Sequence, residues 1–366
     1  MTERAKLSDD GAAVWVKRDA FEVAAPLAGA TYGAALRLTG GGGARAFVAA
    51  AEAAPEALAA IIQDHGGFLC LPGMNEISEE AQLLVRLSQL FGPEVEDNLK
   101  TFTAENKTLF NIHEEVPEII LVTNLPPINS QPMARPEPPL TAEGAFPMRF
   151  PHRRGWHTDQ SFRRPPPDFS LFYAEQPTPK GQGQTLFADG TGAYATLPAD
   201  LKKRMEGLEA LHALPGAGRS EQAVRRGDTP KPLLPHQRPQ HHPIVRVHPV
   251  TGKPALYMSE AGQLDWVDGP IVGMEPGPDG EGAKLVYALM EHITQDHYTY
   301  RHEWTKGDLV IYDNRNLLHA PTWYEADKYI RIMWRTTVMG NPGPEYAGEK
   351  RSWVPEPGGV PQPTAA

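Results

Sequence analysis

The sequence has few cysteines and no long apolar runs. Its 366 residues include a single cysteine, Cys70, so no internal disulfide is possible, and we expect a reducing, cytoplasmic environment. No run of about 18 apolar residues occurs, so no membrane-spanning helix is predicted. The opening residues, MTERAKLSDDGAAVW, have no apolar run behind their positive charges, so a secretory signal peptide is not expected.

Positive charge is also in deficit. The chain has 35 Lys and Arg against 45 Asp and Glu, giving a net charge of −10. This balance argues against a nucleic-acid-binding surface and favours a small molecule as partner. Proline (37) and glycine (34) are abundant instead. They cluster rather than repeat, which indicates long ordered loops rather than a fibrous or solenoid protein.

The apolar pattern predicts many short strands and a few helices. Helices are predicted over 45–65 with a break at Pro55, 79–91, 197–211 and 283–294. Strands are predicted over 68–71, 119–123, 170–174, 185–188, 244–248, 255–259, 308–312 and 329–338. This order is typical of an α+β, mainly β protein, for which a double-sheet jelly roll is the natural candidate.

Four segments lack this periodicity within what we expect to be a single domain over residues 1–366. They are a lead-in (1–45), two long loops (125–151 and 215–243) and a tail rich in Pro and Gly (341–366). Loops of this length in a compact domain are usually lids or binding loops. We therefore expect the two long loops to have functional roles.

The clearest chemical signal lies in the segment 155–162. In a strand, His157 and Asp159 project from the same face, about 6–7 Å apart, and can chelate one ion. A surface His with a nearby Asp is the alternative, but Trp156 and Phe162 flank the pair with apolar bulk. His319, beyond a predicted strand, would complete a two-His, one-carboxylate set with open positions, as in non-haem Fe(II) oxygenases. A structural His at a strand end is the alternative for His319.

Two arginines follow this histidine in a pattern that suits an anionic ligand. As a strand, residues 331–335 place Arg331 and Arg335 on one face and Ile332 and Trp334 on the other. Buried arginines require anions, and arginine binds carboxylates in a bidentate manner. The distal carboxylate of 2-oxoglutarate and an acidic side chain of the protein are equally compatible with this spacing.

Five motifs in order resemble the TauD/TfdA family of Fe(II)- and 2-oxoglutarate-dependent dioxygenases. They are Trp156-His157-Thr158-Asp159-Gln160-Ser161-Phe162, Gly183-Gln184-Thr185-Leu186-Phe187-Ala188-Asp189, the segment 242–253, Trp304 to Asn314, and His319 followed by the segment 331–337. The resemblance covers roughly residues 60–340. It implies a double-stranded β-helix core, a flattened jelly roll with flanking helices.

The resemblance also implies the cofactors and the site. Fe(II), 2-oxoglutarate and O₂ would support hydroxylation of a C–H bond in a small anionic organic substrate, with release of succinate and CO₂. The matching residues are His157, Asp159 and His319 for iron, Thr185 and Arg331 for the distal carboxylate of 2-oxoglutarate, and Arg335 for an anionic group of the substrate or the near end of 2-oxoglutarate. Relatives are often dimers or tetramers, so a homo-oligomer is expected.

Several points stay open at this stage. The two long loops do not match the family pattern, so no substrate is transferred from known members. His113 is a candidate substrate contact, with a solvent-facing His before a strand as the alternative. Asp313 and Asn314 are candidates for orienting the ligand histidines. A zinc-type metallohydrolase and an inactive jelly-roll binding protein are the alternative functions.

Overall fold

A computed structural model describes residues 14–27, 29–101, 111–126, 147–260 and 262–354. These residues form a mixed, strand-rich α/β structure. Its strands are β1 (Val16–Arg18), β2 (Phe21–Ala24), β3 (Ala34–Leu38), β4 (Phe68–Leu71), β5 (Glu94–Val95), β6 (Asn111–Ile112), β7 (Ile120–Thr123), β8 (Phe169–Gln176), β9 (Thr185–Asp189), β10 (Glu209–His212), β11 (Gln240–Pro243), β12 (Val245–Val247), β13 (Pro254–Leu256), β14 (Thr299–His302), β15 (Leu309–Asp313), β16 (Leu317–Pro321) and β17 (Ile332–Met339).

The helices lie mostly between these strands. They are α1 (Ala44–Ala53), α2 (Pro55–Asp64), α3 (Gln82–Ser88), α4 (Asn98–Thr101), α5 (Gly190–Thr196), α6 (Ala199–Met205), α7 (Glu221–Arg226) and α8 (Glu281–Ile293). Short 3-10 turns occur at Asn75–Ser78, Pro235–Gln237, Asp296–Tyr298 and Pro344–Tyr346. No single described helix is long and apolar enough to cross a membrane, whereas α1 and α2, bent by 98°, pass that test only as a pair.

Two sheets dominate the structure. The large sheet has ten strands in the order β1-β2-β3-β4-β15-β8-β17-β7-β6, with β5 pairing with β17 beside this path. β3 and β4 run parallel, and the central strands β4, β15, β8 and β17 run antiparallel. The small sheet has the order β14-β9-β16. Two strand pairs, β10–β11 and β12–β13, are separate from both sheets.

Alternating side chains divide the large sheet between two cores. On β15, Leu309 and Ile311 pack into a core that includes residues of α1, α2 and α3. Val310 and Tyr312 point to the opposite face and pack towards the small sheet. Because side chains in a strand alternate faces, an entirely apolar strand is expected when a sheet is covered on both sides.

The small sheet is covered on both sides in the same way. Phe187 of β9 faces the large sheet, where its ring lies 4.6 Å from that of Phe68. Leu186 and Ala188 face the other way, into a core with Leu289 of α8. Each fully buried aromatic or aliphatic side chain contributes roughly 1.5–3 kcal/mol. Three apolar layers, one between the two sheets and one on the outer face of each, therefore hold the strands of both sheets in place.

Glycines set two turns that place strands of this core. α2 ends at Gly66 and Gly67, whose φ values of 72° and 81° favour glycine. The turn from β9 into α5 passes through Gly190, where a Cβ would lie 2.4 Å from the carbonyl oxygen of Leu256. Only glycine fits this close approach.

The predicted elements are largely confirmed, with four corrections, the first of which is that the lead-in over 1–45 contains β1, β2 and β3 of the large sheet. The predicted helix over 197–211 is wrong in its second half, because α6 ends at Met205 and residues 209–212 form β10 against β11. The predicted loop over 215–243 contains α7 and β11. The strands β14 and β16 were not predicted, and β16 contains His319. The loop over 125–151 lies largely outside the described residues, and so does the tail beyond residue 354.

Candidate metal centre

Backbone hydrogen bonds hold two distant histidines side by side. The His157 N–H donates to the His319 carbonyl at 2.9 Å, and the His319 N–H donates to the His157 carbonyl at 2.7 Å. The two residues thus form an isolated antiparallel bridge, which directs both side chains to one side. Their ring centroids lie 4.2 Å apart. Register therefore brings together two side chains that are far apart in sequence.

Asp159 completes the cluster, although not through the predicted strand. The segment is not the predicted strand, because His157 forms only an isolated bridge and Asp159 lies in a turn between Gly155 (φ 89°) and Gln160 (φ 51°). The carboxylate Oδ1 lies 4.0 Å from the Nε2 of His157 and 3.8 Å from the Nε2 of His319. One potential ligand atom from each residue lies within 4.8 Å of the others.

Both imidazoles are set up to offer Nε2 as a ligand. The Nδ1 of His157 lies 2.7 Å from the Gly155 carbonyl, which can only accept, so Nδ1 carries the proton and Nε2 has a free lone pair. His319 is buried, and burial together with the neighbouring His157 lowers its pKa to about 3. It is neutral at physiological pH, and metals bind the neutral form of histidine.

The Asp159 carboxylate is ionised despite its burial. Burial alone would raise its pKa, but Arg335 and the two histidines, followed by a hydrogen bond from Tyr312, hold the pKa well below its usual range. The Arg335 Nη1 donates directly to Oδ1. The structure thus places Arg335 against the candidate ligand carboxylate. Two neutral nitrogens and one anionic oxygen converge, which is a donor set suited to a divalent ion.

A second arginine nearby has no such carboxylate. Arg331 is buried, and its Nε has no hydrogen-bond partner within the described part of the chain. Burial lowers its pKa to about 10, opposed by the nearby Tyr324. The guanidinium lies 5.8 Å from the Phe172 ring. A buried cation without an anion is unfavourable, so the site lacks a negatively charged group at this position.

Thr185 belongs to the same neighbourhood. Its Oγ1 accepts a hydrogen bond from the Trp304 indole N–H at 3.0 Å, and the Trp304 ring packs 5.4 Å from that of Phe172. Phe172 in turn contacts Arg331. Thr185 and Arg331 therefore lie on the same chain of contacts, through Trp304 and Phe172, between the two sheets.

One buried network at this site was missed by the sequence analysis. Gln160 donates from Nε2 to Glu96 Oε2 at 2.9 Å, and Arg163 donates to Glu96 and, at 2.8 Å, to Gln160 Oε1. All three side chains are buried. The charge of Glu96 also acts on Arg335. The left-handed backbone at Gln160, which is unusual for a non-glycine residue, was not predictable from the sequence.

The structure places the two expected orienting residues away from the histidine rings. The Asn314 Oδ1 accepts a hydrogen bond from the backbone N–H of Asp159 at 3.4 Å. The Asn314 Nδ2 donates to Ser170 Oγ at 3.0 Å. Asp313 forms ion pairs with His248 and Arg315 instead. Asn314 is thus part of the surroundings of the carboxylate, and Asp313 lies in a separate buried ion-pair cluster.

His113 is held by contacts with Trp334 and with the backbone of the turn that follows it. Its ring packs edge-on against Trp334 at 4.9 Å. Trp334 belongs to the core on the opposite face of β17 from Arg335. The His113 Nδ1 accepts from the backbone N–H groups of Glu115 and Val116, both at 3.3 Å. The ring therefore stabilises a turn beside the large sheet, and its role as a substrate contact stays a prediction.

Three further histidines of the described chain lie outside this cluster. His242 is buried and lies 2.8 Å from both the Tyr346 hydroxyl and the Ser161 carbonyl. His241 is half exposed beside Glu209. His292 lies 2.9 Å from the Ala193 carbonyl.

Two buried histidines behind the site predict acid sensitivity of the fold. Burial, followed by the charge of Arg246, lowers the pKa of His212 to about 3. Burial, followed by His212 and Arg246, lowers the pKa of His242 well below its usual value. The unfolded chain binds protons at these residues near the ordinary value of 6.5, whereas the folded chain does not. Stability is therefore complete above that pH and decreases as the pH falls towards 3.

At about pH 5, each of these histidines should lower the free energy of unfolding by roughly 2 kcal/mol relative to neutral pH. We expect the variant His212→Asn to reduce the slope of unfolding free energy against pH, measured by urea unfolding. The exposed-site variant His241→Asn serves as the control and should leave the slope unchanged. Parallel profiles for wild type and His212→Asn would contradict this assignment.

Comparison with known proteins adds a family match. A model of the family described as "Taurine catabolism dioxygenase TauD, TfdA family" matches residues 26–337. The (S)-phenoxypropionate/alpha-ketoglutarate-dioxygenase of Sphingobium herbicidovorans is 34% identical over 205 residues, which are 53% of this chain and 64% of that protein. The alpha-ketoglutarate-dependent 2,4-dichlorophenoxyacetate dioxygenase of Cupriavidus pinatubonensis is 34% identical over 183 residues, 50% of this chain and 59% of that protein.

This chain therefore covers less than two thirds of the length of either relative. Among solved structures, AAD-2 in complex with Mn(II) and N-oxalylglycine is similar in fold. It has 24% sequence identity and a TM-score of 0.59, and the match covers 85% of this chain and 95% of that one.

Proposed function

The chain belongs to the TauD/TfdA family, and from that membership we propose that it is an Fe(II)- and 2-oxoglutarate-dependent dioxygenase. The observation that carries the proposal is that a candidate metal cluster and a buried arginine occur together between the two sheets. His157, Asp159 and His319 converge on one point, and the buried Arg331 lies nearby without a carboxylate partner in the described residues. A metal and a dicarboxylate would satisfy both.

The donor set fits Fe(II). His157 and His319 would bind through Nε2 and Asp159 through Oδ1, and two nitrogens with one carboxylate are the usual facial set of non-haem iron oxygenases. When bound, the metal with 2-oxoglutarate and O₂ supplies oxidative decarboxylation to succinate and CO₂ together with insertion of one oxygen atom into a substrate C–H bond. The protein holds the ligands in neutral and anionic forms, and the surrounding core excludes water.

Thr185 and Arg331 would bind the distal carboxylate of 2-oxoglutarate. The guanidinium offers parallel N–H donors, and the threonine hydroxyl, which accepts from Trp304, has its own proton to donate. Binding this carboxylate would remove the unfavourable burial of the Arg331 charge. A zinc hydrolase has no need of such a clamp, which argues against that alternative.

The charges around the site favour an anionic substrate. Among the described residues around the site, the buried carboxylates are Asp159 and Glu96, and the buried or nearly buried cations are Arg163, Arg331 and Arg335, so this described set has one net positive charge. The two charges of Fe(II) are cancelled by the two carboxylates of 2-oxoglutarate. A small organic molecule with one carboxylate, sulfonate or sulfate group would balance the remainder. The two relatives described above are named for phenoxy carboxylates.

The finer points of architecture and setting belong to the same proposal. The two facing sheets suit a double-stranded β-helix, or jelly roll, with flanking helices in a single domain. The loops over 125–151 and 215–243 would flank the substrate side. We propose a cytoplasmic enzyme, in a homo-oligomer such as a dimer or tetramer, that binds neither nucleic acid nor membrane.

The proposal is tested by anaerobic titration of the purified protein with Fe(II) and 2-oxoglutarate. A visible charge-transfer band from the chelated keto acid is expected, and His319→Ala should eliminate it. The variant His241→Ala is the control, since that side chain lies outside the cluster, and it should keep the band. If folded, iron-loaded wild-type protein gives no band, the inactive binding-protein alternative is favoured. A panel of carboxylates, sulfonates and sulfate esters, followed by succinate release, then identifies the substrate.

A further inference from the structure

The Asp159 carboxylate has almost all of its acceptor positions occupied by the protein. An ionised carboxylate offers about four lone-pair positions, two on each oxygen. Oδ2 accepts from the Tyr312 hydroxyl and from the Ser170 hydroxyl, both at 2.7 Å. Oδ1 accepts from Arg335. The single position left is on Oδ1, the oxygen that lies 4.0 and 3.8 Å from the two histidine Nε2 atoms.

The direction of the two hydroxyl bonds is fixed by their surroundings. The Asn314 amide Nδ2 donates to Ser170 Oγ at 3.0 Å, so the serine oxygen is the acceptor there and its own proton is directed to Asp159. The buried Tyr312 hydroxyl lies 2.7 Å from Oδ2, and a carboxylate oxygen only accepts, so the phenol is the donor in this bond. Both groups therefore act as donors to Oδ2.

Strand register delivers these two donors together. Tyr312 on β15 and Ser170 on β8 are direct partners across the large sheet. Directly paired residues project from the same face, and here that face is the one towards the small sheet. Asp159, 153 residues from Tyr312 in sequence, meets both hydroxyls through the same carboxylate oxygen. The positions of the two hydroxyl donors are thus set by the pairing of β8 and β15.

We infer that Tyr312 and Ser170 are positioning residues that restrict Asp159 to binding a metal through Oδ1 alone. This inference rests on the metal-binding role in the proposed function. With Oδ2 held by two donors, the carboxylate cannot turn to present both oxygens. A carboxylate bound through one oxygen occupies one coordination position, and the position that a second oxygen would take stays open. Open positions are what a facial two-His, one-carboxylate site requires for its co-substrates.

The test uses Co(II) as a spectroscopic probe without 2-oxoglutarate or O₂, so that the readout does not depend on turnover. In Tyr312→Phe, one donor to Oδ2 is removed and the ring is kept. We expect the dissociation constant for Co(II) to rise about 10- to 100-fold, the usual effect of losing a partner of a metal ligand. We also expect the ligand-field spectrum to change as Oδ2 gains access to the ion. Ser170→Ala should act in the same direction.

The matched control is Tyr173→Phe. Tyr173 is also fully buried on β8, and its hydroxyl lies 2.8 Å from Ser78 on the opposite face of the same sheet. This variant should bind Co(II) with wild-type affinity and spectrum. If folded Tyr312→Phe and folded Ser170→Ala both bound Co(II) with wild-type affinity and spectrum, the inference would be overturned and the proposed function would stand. Failure of wild type to bind Co(II) would overturn both the inference and the proposed function, whereas normal binding without succinate release would overturn only the proposed function.

Discussion

Replacing Asp159 with alanine is expected to abolish succinate release and to destabilise the ligand-free fold at the same time. The loss of activity should be at least about a thousandfold, as for other groups that act as part of one catalytic unit. The loss of stability has a separate cause, because Arg335 is left buried without its carboxylate. Removing one partner of a buried ion pair costs about 3–5 kcal/mol. Urea unfolding of metal-free protein measures this second effect.

A double variant separates the two effects. In Asp159→Ala with Arg335→Met, the unpaired charge is also removed, so most of the stability should return while activity stays absent. Recovery should be incomplete, because the hydroxyls of Tyr312 and Ser170 still lack their acceptor. His319→Ala provides a further comparison, since it removes a neutral ligand and leaves the ion pair intact. If Asp159→Ala retained turnover, the carboxylate could not be a metal ligand.

Replacing Arg331 with methionine is expected to stabilise the ligand-free protein and to impair binding of 2-oxoglutarate. Burial lowers the pKa of Arg331 from its ordinary value to about 10, but the residue is protonated at neutral pH in both folded and unfolded chains. The cost of burying the charge is therefore fully present at neutral pH and is relieved only as the pH rises above the folded value. At about 1.4 kcal/mol per pKa unit, the gain in the variant should be roughly 1–3 kcal/mol.

With 2-oxoglutarate bound, wild type is expected to be more stable than Arg331→Met, the reverse of the order expected without ligand. Loss of a buried arginine–carboxylate contact should weaken 2-oxoglutarate binding by about 100-fold or more. Thermal unfolding with metal and 2-oxoglutarate should therefore raise the melting temperature of wild type and not that of Arg331→Met. Arg315→Met is the control, because Arg315 is equally buried but forms a bidentate pair with Asp313 at 2.8 and 2.6 Å. That variant should be destabilised by about 3–5 kcal/mol. Destabilisation of ligand-free Arg331→Met would indicate an anionic partner within the protein.

The elements that could be predicted are those with strong local signals. β4 was predicted with its observed bounds, because the apolar run Phe68–Leu71 follows two glycines and precedes a Pro-Gly pair. The break between α1 and α2 follows from Pro55, which is tolerated at the start of a helix but not inside one. The helix α7 had a usable signal that was overlooked, since Ser220 caps its start and Gly227 ends it.

Elements that depend on tertiary partners could not be predicted in this way. β16 is five residues long, directly follows the polar turn over 313–316, and is paired with β9. β10 continues the apolar spacing of the helix before it, and only its pairing with β11 makes it a strand. Strand preference depends strongly on such neighbours.

The same division applies to the candidate site. His157, Asp159 and His319 were identifiable because their chemistry is read from residue type and motif order, and as metal ligands they stay a prediction. The contacts of Glu96 with Gln160 and Arg163 could not be read, because they join a side chain to a segment that is distant in sequence. The pairing of Tyr312 with Ser170 likewise requires the register of β8 and β15.

The bridge between His157 and His319 also has a consequence for the order of folding. The two candidate ligands meet only after the segment before β8 has paired with β16, which closes a loop that contains β8, β9, β14 and β15. Closing such a loop is entropically slow and follows the formation of local structure. The ion can therefore find its complete set of ligands only in a chain whose sheets are already assembled. Time-resolved metal binding would report a late step of folding, and a chelator should slow the final consolidation of the structure rather than prevent the early collapse.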